Sequence, residues 1–248
     1  MKKVNRKRRI ILLAVIGVFV GIIVACAVYV GDYYHADMAA IELYAVNSPV
    51  GYEALEDGTI VFAPKEATTG IIFYPGAKVE YTSYLPLMQA CAEQGLVCVL
   101  VEMPFNIAMF DINAADEIPE KYPQVTDWYI GGHSLGGSMA AMYLADHAQE
   151  YEGLLLLGSY STADLSQTDL AVISIFGSED KVIQWENYES NKQNISANLA
   201  EYEIEGGCHA YFGMYGAQEG DGEPTISAKE QIEITAKFIA DHVLEKSF

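Results

Sequence analysis

A serine bracketed by glycines is the feature of this sequence best suited to nucleophilic chemistry. Ser134 lies in the stretch GGHSLGG, between an apolar run at 128–130 and an alanine- and methionine-rich run at 138–145. The first run is typical of a buried strand and the second of a helix. A serine on a tight strand-to-helix turn has a strained backbone, so the residues two positions away must lack side chains. Gly132 and Gly136 meet that need, and the stretch therefore predicts a nucleophile elbow.

A serine hydroxyl needs a base that removes its proton, and one of the five histidines is well placed for that role. His209 follows the last predicted strand, at the carboxyl edge where open α/β sheets form their sites. His133, inside the elbow, is expected to point away from the Ser134 hydroxyl. A carboxylate must hold the imidazole in the right tautomer, and Asp180 follows another predicted strand, with the adjacent Glu179 as the alternative. We expect Ser134, Asp180 and His209 to form a catalytic triad.

Alternating apolar runs and helical patterns must position these residues. Apolar runs predict strands at 70–74, 96–101, 128–130, 153–158, 170–177 and 198–204. Helical patterns occur at 33–47, 84–93, 113–122, 138–145, 182–193 and 227–245. Two shorter runs around the turn at 56–58 predict a hairpin before the first of these strands. The pattern predicts an α/β fold with a mainly parallel, doubly wound sheet and an antiparallel N-terminal hairpin.

Five segments carry a resemblance to a known superfamily. They are FYPGAKV at 73–79, VEMPFN at 101–106, GGHSLGG at 131–137, GSED at 177–180 and GGCHAYFG at 206–213. On these segments, and over about residues 50–245, the chain resembles the α/β-hydrolases and is similar to a small membrane-anchored bacterial subgroup. The resemblance implies the α/β-hydrolase fold and a serine esterase-like activity.

The resemblance also implies an oxyanion hole made of two backbone N–H groups. Leu135, directly after the nucleophile, is expected to supply one of them. The family places the second just after the first parallel strand, where many members have His-Gly and this chain has Pro75-Gly76. We expect the Ala77 amide to be that donor, with the Lys78 amide as the alternative.

The connection between the strands at 153–158 and 170–177 bears on access to the site. Many lipases and esterases insert a lid or cap after the first of these strands. Only residues 159–169 are available here, which is too short for a cap domain. We therefore expect a lidless enzyme with an open cleft.

The N-terminus has the pattern of a membrane anchor. Residues 10–30 form an uncharged apolar run, long enough at about 1.5 Å per residue to cross a bilayer core of roughly 30 Å. The basic segment at 1–9 should stay in the cytoplasm and direct the rest of the chain outward. We expect a single-pass signal anchor at the cell membrane, a juxtamembrane helix or linker at 31–49, and an extracytoplasmic hydrolase domain at 50–248.

Two alternatives to the anchor are open. The triplet Ala25-Cys26-Ala27 resembles a signal-peptidase site, which would make the domain a secreted protein. The stretch at 23–26 resembles a lipobox, which would make it a lipoprotein. Both alternatives also place the domain outside the cytoplasm.

The charge distribution excludes some classes of ligand. The net charge is −20, and six of the fourteen basic residues lie in residues 1–9. The rest of the chain has eight basic and 34 acidic residues, a net charge of −26 with no arginine. Such a surface argues against binding of nucleic acid, which requires basic contacts. The four cysteines have no spacing typical of a metal site or a disulfide framework.

These observations predict a serine hydrolase that cleaves a carboxylic ester, with an amide or a thioester as alternatives. The substrate would be a small-molecule or lipid-like ester, and neither a metal nor an organic cofactor is implied. A non-catalytic envelope binding or scaffold protein on the same fold is one alternative function, since fold does not imply activity. An acyltransferase is the other, because an acyl-enzyme can transfer its acyl group to an acceptor other than water.

Overall fold

A mixed sheet of eight strands forms the centre of the structure, a computed structural model that describes residues 6–46 and 48–245. The described strands are β1 (Glu53–Ala54), β2 (Ile60–Phe62), β3 (Thr69–Tyr74), β4 (Val97–Leu100), β5 (Asp127–His133), β6 (Gly153–Leu157), β7 (Ala171–Gly177) and β8 (Leu199–Ile204). Their order across the sheet is β1-β2-β4-β3-β5-β6-β7-β8. β2 pairs antiparallel with β1 and β4, and the other neighbouring strands are parallel. The predicted fold, with its N-terminal hairpin, is confirmed.

Helices lie between the parallel strands as predicted, with none between β6 and β7, and the three helices expected at 33–47, 113–122 and 182–193 are clearly shorter than expected. The described helices are α1 (Arg6–Gly31), α2 (Met38–Ala45), α3 (Leu85–Glu93), α4 (Ile118–Lys121), α5 (Leu135–His147), α6 (Trp185–Asn191) and α7 (Ala228–Glu245). α2 begins only after Asp37, whose side chain accepts from the Ala40 N–H over 3.1 Å and caps the helix. α4 occupies a small part of the helix expected at 113–122.

Side chains alternate between the two faces of the sheet, and each face has its own core. On β3, Ile71 and Phe73 face a core with α2, α3 and α7. Ile72 and Tyr74 face the opposite core, which includes α5 and the segment that follows β4. This period of two follows from strand geometry, and it explains why the central strands are apolar throughout.

The described chain divides into one unit that ends at Tyr33 and one that begins at Tyr34. α1 makes up most of the first unit. Among the described residues, Arg8–Gly31 is the one helix long and apolar enough to cross a membrane, and a signal sequence near the N-terminus would pass the same test.

The second unit begins earlier in the chain than the domain start that we expected at residue 50. Tyr34 forms a parallel bridge with Val79, and its N–H donates to the Lys78 carbonyl over 2.8 Å. Ile41 of α2 is buried in the core on the α3 side of the sheet. Residues 34–46, part of the segment that we expected to be a juxtamembrane helix or linker, therefore pack as part of the sheet-containing unit.

The connection between β6 and β7 contains neither a helix nor a strand between Gly158 and Leu170. The expected absence of a cap domain at this connection is confirmed. The carboxyl ends of β5, β6, β7 and β8 lie at one edge of the sheet. The β6–β7 connection adds no domain that would cover this edge.

Candidate active site

The turn that carries Ser134 joins β5 directly to α5, as the sequence predicts. Ser134 has φ 52° and ψ −123°, a conformation that residues with side chains rarely adopt. Its N–H donates to the carbonyl of Leu157 over 2.9 Å. Its carbonyl accepts from the buried Ser159 hydroxyl over 2.6 Å. The strained turn is thus held from the end of the neighbouring strand β6.

Gly132 and Gly136 lie where a side chain cannot fit. A Cβ atom on either glycine would come within 2.2 Å of the Tyr74 carbonyl oxygen at the end of β3. The close approach brings β3, β5 and α5 together at Ser134. The close approach of the Tyr74 carbonyl oxygen is therefore the physical reason why positions 132 and 136 require glycine.

Asp180 and His209 are directly paired beneath this edge of the sheet. The His209 Nδ1–H donates to Asp180 Oδ2 over 2.7 Å, because an ionised carboxylate can only accept. The other oxygen, Oδ1, accepts from the N–H groups of Val182 at 3.0 Å and Ile183 at 2.9 Å. Both side chains are at least 98 % buried. Of the two candidate carboxylates, it is that of Asp180 that contacts His209, rather than that of Glu179.

The remaining ring nitrogen of His209, Nε2, is available for proton transfer. Nε2 is buried, and it has no hydrogen-bond partner in the described part of the chain. A neutral imidazole that donates from Nδ1 has an unprotonated Nε2, which can accept a proton. Ser134 and His209 line the same cavity, of about 280 Å³. The structure thus places Ser134 and His209 on one cavity, and Asp180 behind His209 as its hydrogen-bond partner.

The cavity combines apolar and polar walls. Its other lining residues are Leu135, Ser138, Gly158, Ser159, Tyr160, Val182, Ile183 and Gln184. Gly158 has φ 52°, and a Cβ atom there would lie 2.9 Å from His209 Nδ1 and 3.1 Å from Asp180 Oδ2. A glycine at this position leaves room for the pair.

The loop of His209 is held by two side chains that the sequence analysis did not single out. The Gln231 side chain, on α7, accepts from the Cys208 N–H over 2.9 Å and donates to the Cys208 carbonyl over 2.7 Å. The Asp221 carboxylate accepts from the N–H groups of His209 at 3.2 Å and Ala210 at 2.8 Å. Neither pattern is visible in the sequence, because glutamine and aspartate in such positions are common on surfaces.

Cys208 lies directly before His209 and is buried. Burial, followed by the negative charge of Asp221, raises the pKa of its thiol to about 12. Cys208 therefore stays protonated at neutral pH and is a weak nucleophile.

His133 packs beside His209, which the sequence analysis did not predict. The two ring centroids are 4.4 Å apart. The Gly76 N–H donates to the Tyr84 hydroxyl over 3.1 Å, and the same hydroxyl forms a hydrogen bond of 2.7 Å with His133 Nδ1. Burial, and secondly the proximity of His209, lowers the pKa of His133 well below its usual range. His133 is therefore a neutral neighbour of His209.

The predicted oxyanion donors lie on the two segments that meet at the turn. Leu135 lines the cavity, whereas Ala77 is not among its lining residues. The Lys78 N–H donates to the Asn106 carbonyl over 2.8 Å. Since its amide hydrogen is engaged there, Lys78 is a poorer candidate than Ala77 for the second donor.

Within residues 6–46 and 48–245, no group of three or more His, Cys, Asp or Glu side chains is arranged to hold a metal ion. The chemistry that the described side chains of this site support is proton transfer through an Asp–His pair next to a serine hydroxyl.

Comparison with known proteins gives the family. The model of a family described as "Alpha/beta hydrolase family" matches residues 70–233, which include all three predicted triad residues. No curated protein shows significant sequence similarity to this chain.

Many solved structures share the fold. A predicted CIB-like hydrolase from Thermoplasma acidophilum is 16% identical with a TM-score of 0.54, over 77% of this chain and 98% of that one. Est1E from Butyrivibrio proteoclasticus is 14% identical with a TM-score of 0.56, over 79% and 98%. Dienelactone hydrolase from Anabaena variabilis is 14% identical with a TM-score of 0.57, over 79% and 98%. At such identities, the likeness establishes a common fold.

Proposed function

The chain belongs to the alpha/beta hydrolase family, and we propose that it is a serine hydrolase that cleaves a carboxylic ester. Family membership itself supports an enzyme of the hydrolase kind acting on a small molecule. The finer proposal is carried by one observation: His209, paired with Asp180 at 2.7 Å, shares a cavity with a serine on a strained turn.

The first half of the proposed reaction acylates Ser134. His209 Nε2 accepts the proton of the Ser134 hydroxyl as the oxygen attacks the carbonyl carbon of the ester. The carboxylate of Asp180 keeps the ring oriented and stabilises the imidazolium that forms. The N–H groups of Leu135 and Ala77 would hold the oxyanion. The bond to the alcohol oxygen then breaks, and the alcohol leaves with the proton from His209.

The second half returns the enzyme to its starting state. Water loses a proton to His209 Nε2 and attacks the acyl carbon, and the Ser134 oxygen leaves with that proton. The products are a carboxylic acid and a serine in its original form. Apart from the ester and water, the steps use groups of this chain.

The cavity indicates the size of the acyl group. Its volume of about 280 Å³ lies near the lower end of the roughly 300–1,000 Å³ found for small-molecule sites. We therefore propose an ester with a short acyl chain, and amides and thioesters of the same acids are the comparison substrates.

We also propose that the apolar run at 10–30 anchors the enzyme, with the basic segment at 1–9 in the cytoplasm and the domain from Tyr34 onward outside. The support is the length and composition of α1 and the charge asymmetry around it. Protease added to intact cells should then degrade the domain and spare the N-terminus. Release of the domain into the medium would instead indicate a cleaved signal peptide.

Labelling with a fluorophosphonate probe tests the nucleophile. We expect the wild type to be labelled, Ser134→Ala to remain unlabelled and His209→Ala to be labelled at least about 10³-fold more slowly, because the triad acts as a unit. Ser138→Ala is the matched control, since this serine lines the same cavity and should leave labelling at Ser134 intact. Absence of Ser134-dependent labelling in folded protein would contradict the proposal.

A series of p-nitrophenyl esters tests the substrate class. We expect kcat/KM to be highest for short acyl chains and to fall as the chain outgrows the cavity. Rates should change smoothly with substrate concentration, because no cap domain follows β6. A preference for long chains, or a jump in rate when the substrate forms an interface, would count against the proposed class.

A further inference from the structure

Asp221 lies in the acidic, glycine-rich loop at 216–224. In the structure, this loop contacts the backbone of His209 and that of Glu179 and Lys181, the two neighbours of Asp180. A Cβ atom on Gly222 would lie 2.0 Å from the carbonyl oxygen of Glu179, the residue before Asp180. The Glu219 N–H donates to the Tyr34 hydroxyl over 3.0 Å. These contacts seat the loop on the domain.

The Asp221 carboxylate bridges the two loops of the pair. Oδ2 accepts from the Ala210 N–H at 2.8 Å, and Oδ1 accepts from the His209 N–H at 3.2 Å. Oδ1 also accepts from the Gly222 N–H at 2.8 Å and, over a longer 3.4 Å, from the Lys181 N–H. His209 and Ala210 belong to one loop, and Lys181 directly follows Asp180 on the other.

The character of these contacts suits a carboxylate better than a neutral side chain. An aspartate offers two acceptor oxygens and no donor, so it can receive several N–H groups at once. Within the described part of the chain, no lysine or histidine side chain forms an ion pair with Asp221. At these distances its hydrogen bonds come from backbone amides and join the two loops, and the buried Cys208 thiol also interacts with it.

We propose that Asp221 is a positioning residue that sets the geometry of the Asp180–His209 pair relative to Ser134. The role rests on the proposed serine hydrolase function, since it acts through His209. Proton transfer in a triad depends on placement to within about an ångström, and a displacement of that size costs roughly 10²-fold in rate. Replacing the carboxylate would leave the cavity walls in place while allowing His209 to shift.

The test compares Asp221→Asn with Glu223→Gln. Both substitutions remove one negative charge from the same loop, but Glu223 is exposed and has no hydrogen bond to the loops of the pair. We expect Asp221→Asn to lower kcat by about 10- to 100-fold with KM nearly unchanged. Fluorophosphonate labelling of Ser134 should slow by the same factor, and Glu223→Gln should match the wild type.

Proton NMR of the His209 Nδ1–H supplies a readout that does not depend on activity. In the wild type, the short hydrogen bond to Asp180 should give a resolved downfield signal, and Asp221→Asn should shift or broaden it. A wild type with that signal but without Ser134 labelling would refute the hydrolase function, and a shifted signal in Asp221→Asn would then still show that Asp221 orders the Asp180–His209 pair. An active wild type with unchanged kcat and unchanged signal in Asp221→Asn would overturn the positioning role.

Asp221→Ser is the second variant should Asp221→Asn fail to fold, because a hydroxyl is shorter and cannot reach both loops. The same fall in kcat is expected. Loss of stability alone, with full kcat per labelled active site, would show that Asp221 is only structural.

Discussion

The turn of Ser134 and the loop of His209 serve one site, but they are built in different ways. The Ser134 turn lies within seven consecutive residues, and its shape follows from two glycines that allow the backbones of β3, β5 and α5 to touch. The His209 loop is fixed by side chains from positions 221 and 231, through hydrogen bonds to its backbone.

The difference shows how each half of the site would fail. An atom added at one of these glycines would overlap with backbone atoms that cannot move aside, so it should disrupt folding as well as activity. A loop held by several hydrogen bonds can lose one of them and persist in a shifted position. We therefore expect variants of the turn to lose structure and variants near the loop to lose rate.

The largest effect is expected from Gly136→Ala, which breaks the turn. The new Cβ would lie 2.2 Å from the Tyr74 carbonyl oxygen and 2.5 Å from that of Pro75. Because both contacts are with backbone, we expect the free energy of unfolding to fall by about 3 kcal/mol or more. Urea denaturation and Ser134 labelling measure the outcome.

Gly51→Ala is the control for that experiment, since a Cβ there would meet no atom within 4 Å. It should unfold at nearly the wild-type urea concentration. A Gly136→Ala variant with wild-type stability would show that the turn tolerates a side chain and would remove the contrast between the two regions.

A smaller effect is expected from Gly158→Ala, which crowds the His209–Asp180 pair. The Cβ atom would lie 2.9 Å from His209 Nδ1, so the ring must move by a few tenths of an ångström. We expect kcat to fall by about 10- to 100-fold, with about 1–2 kcal/mol lost from the free energy of unfolding through the positive φ.

Gly95→Ala is the control that separates crowding of His209 from the strain of a positive φ. Gly95 also has a positive φ, of 97°, but a Cβ there has open space. It should lose a similar amount of stability and keep full kcat. If both variants lose rate equally, backbone strain rather than crowding of His209 would explain the result.

The smallest effect concerns His133, which belongs to the turn but packs against His209. The pKa of its buried imidazole lies well below the usual value of about 6.5. Between that lowered pKa and about pH 6.5, the unfolded chain therefore binds a proton at this residue that the folded protein does not. Stability from this residue is complete above about pH 6.5 and declines as the pH falls towards the folded-state pKa. His133 contributes at most about 1.4 kcal/mol per pH unit to the slope of the unfolding free energy against pH.

His133→Asn removes the titrating group while leaving an acceptor for the Tyr84 hydroxyl. Between pH 6.5 and 5, the unfolding free energy of this variant should decline less steeply than that of the wild type. Above pH 7.5, the two curves should run parallel. Equal slopes over the whole range would contradict a neutral His133 in the folded protein.

Much of the fold could be predicted from the sequence, because it follows from local patterns. Continuous apolar runs identified the central strands, and glycines bracketing Ser134 identified the elbow. The helix expected at 33–47 was too long, since residues 34–37 are drawn into contacts with the main domain. Such contacts depend on distant segments such as that around Val79, and the helical propensity of the residues themselves does not reveal them.

The candidate site residues could be nominated from the sequence, whereas the contacts that hold them in place could not. The order of Ser134, Asp180 and His209 at strand ends was enough to nominate all three. The roles of Asp221 and Gln231 had no sequence signal, because a single polar residue in a loop or on a helix is most often solvated. Only the positions of the neighbouring backbone groups show what these side chains bind.

The sequence by itself determined the alternation of strands and helices, the strained turn at Ser134 and the apolar N-terminal run. These depend on apolar periodicity and backbone sterics, which act over a few residues. The tertiary structure decided that Asp180 rather than Glu179 contacts His209, that His133 packs beside it, and that the Lys78 amide is engaged elsewhere. Those outcomes depend on how segments remote in sequence are placed against one another, because a hydrogen bond forms only where donor and acceptor meet within about 3 Å.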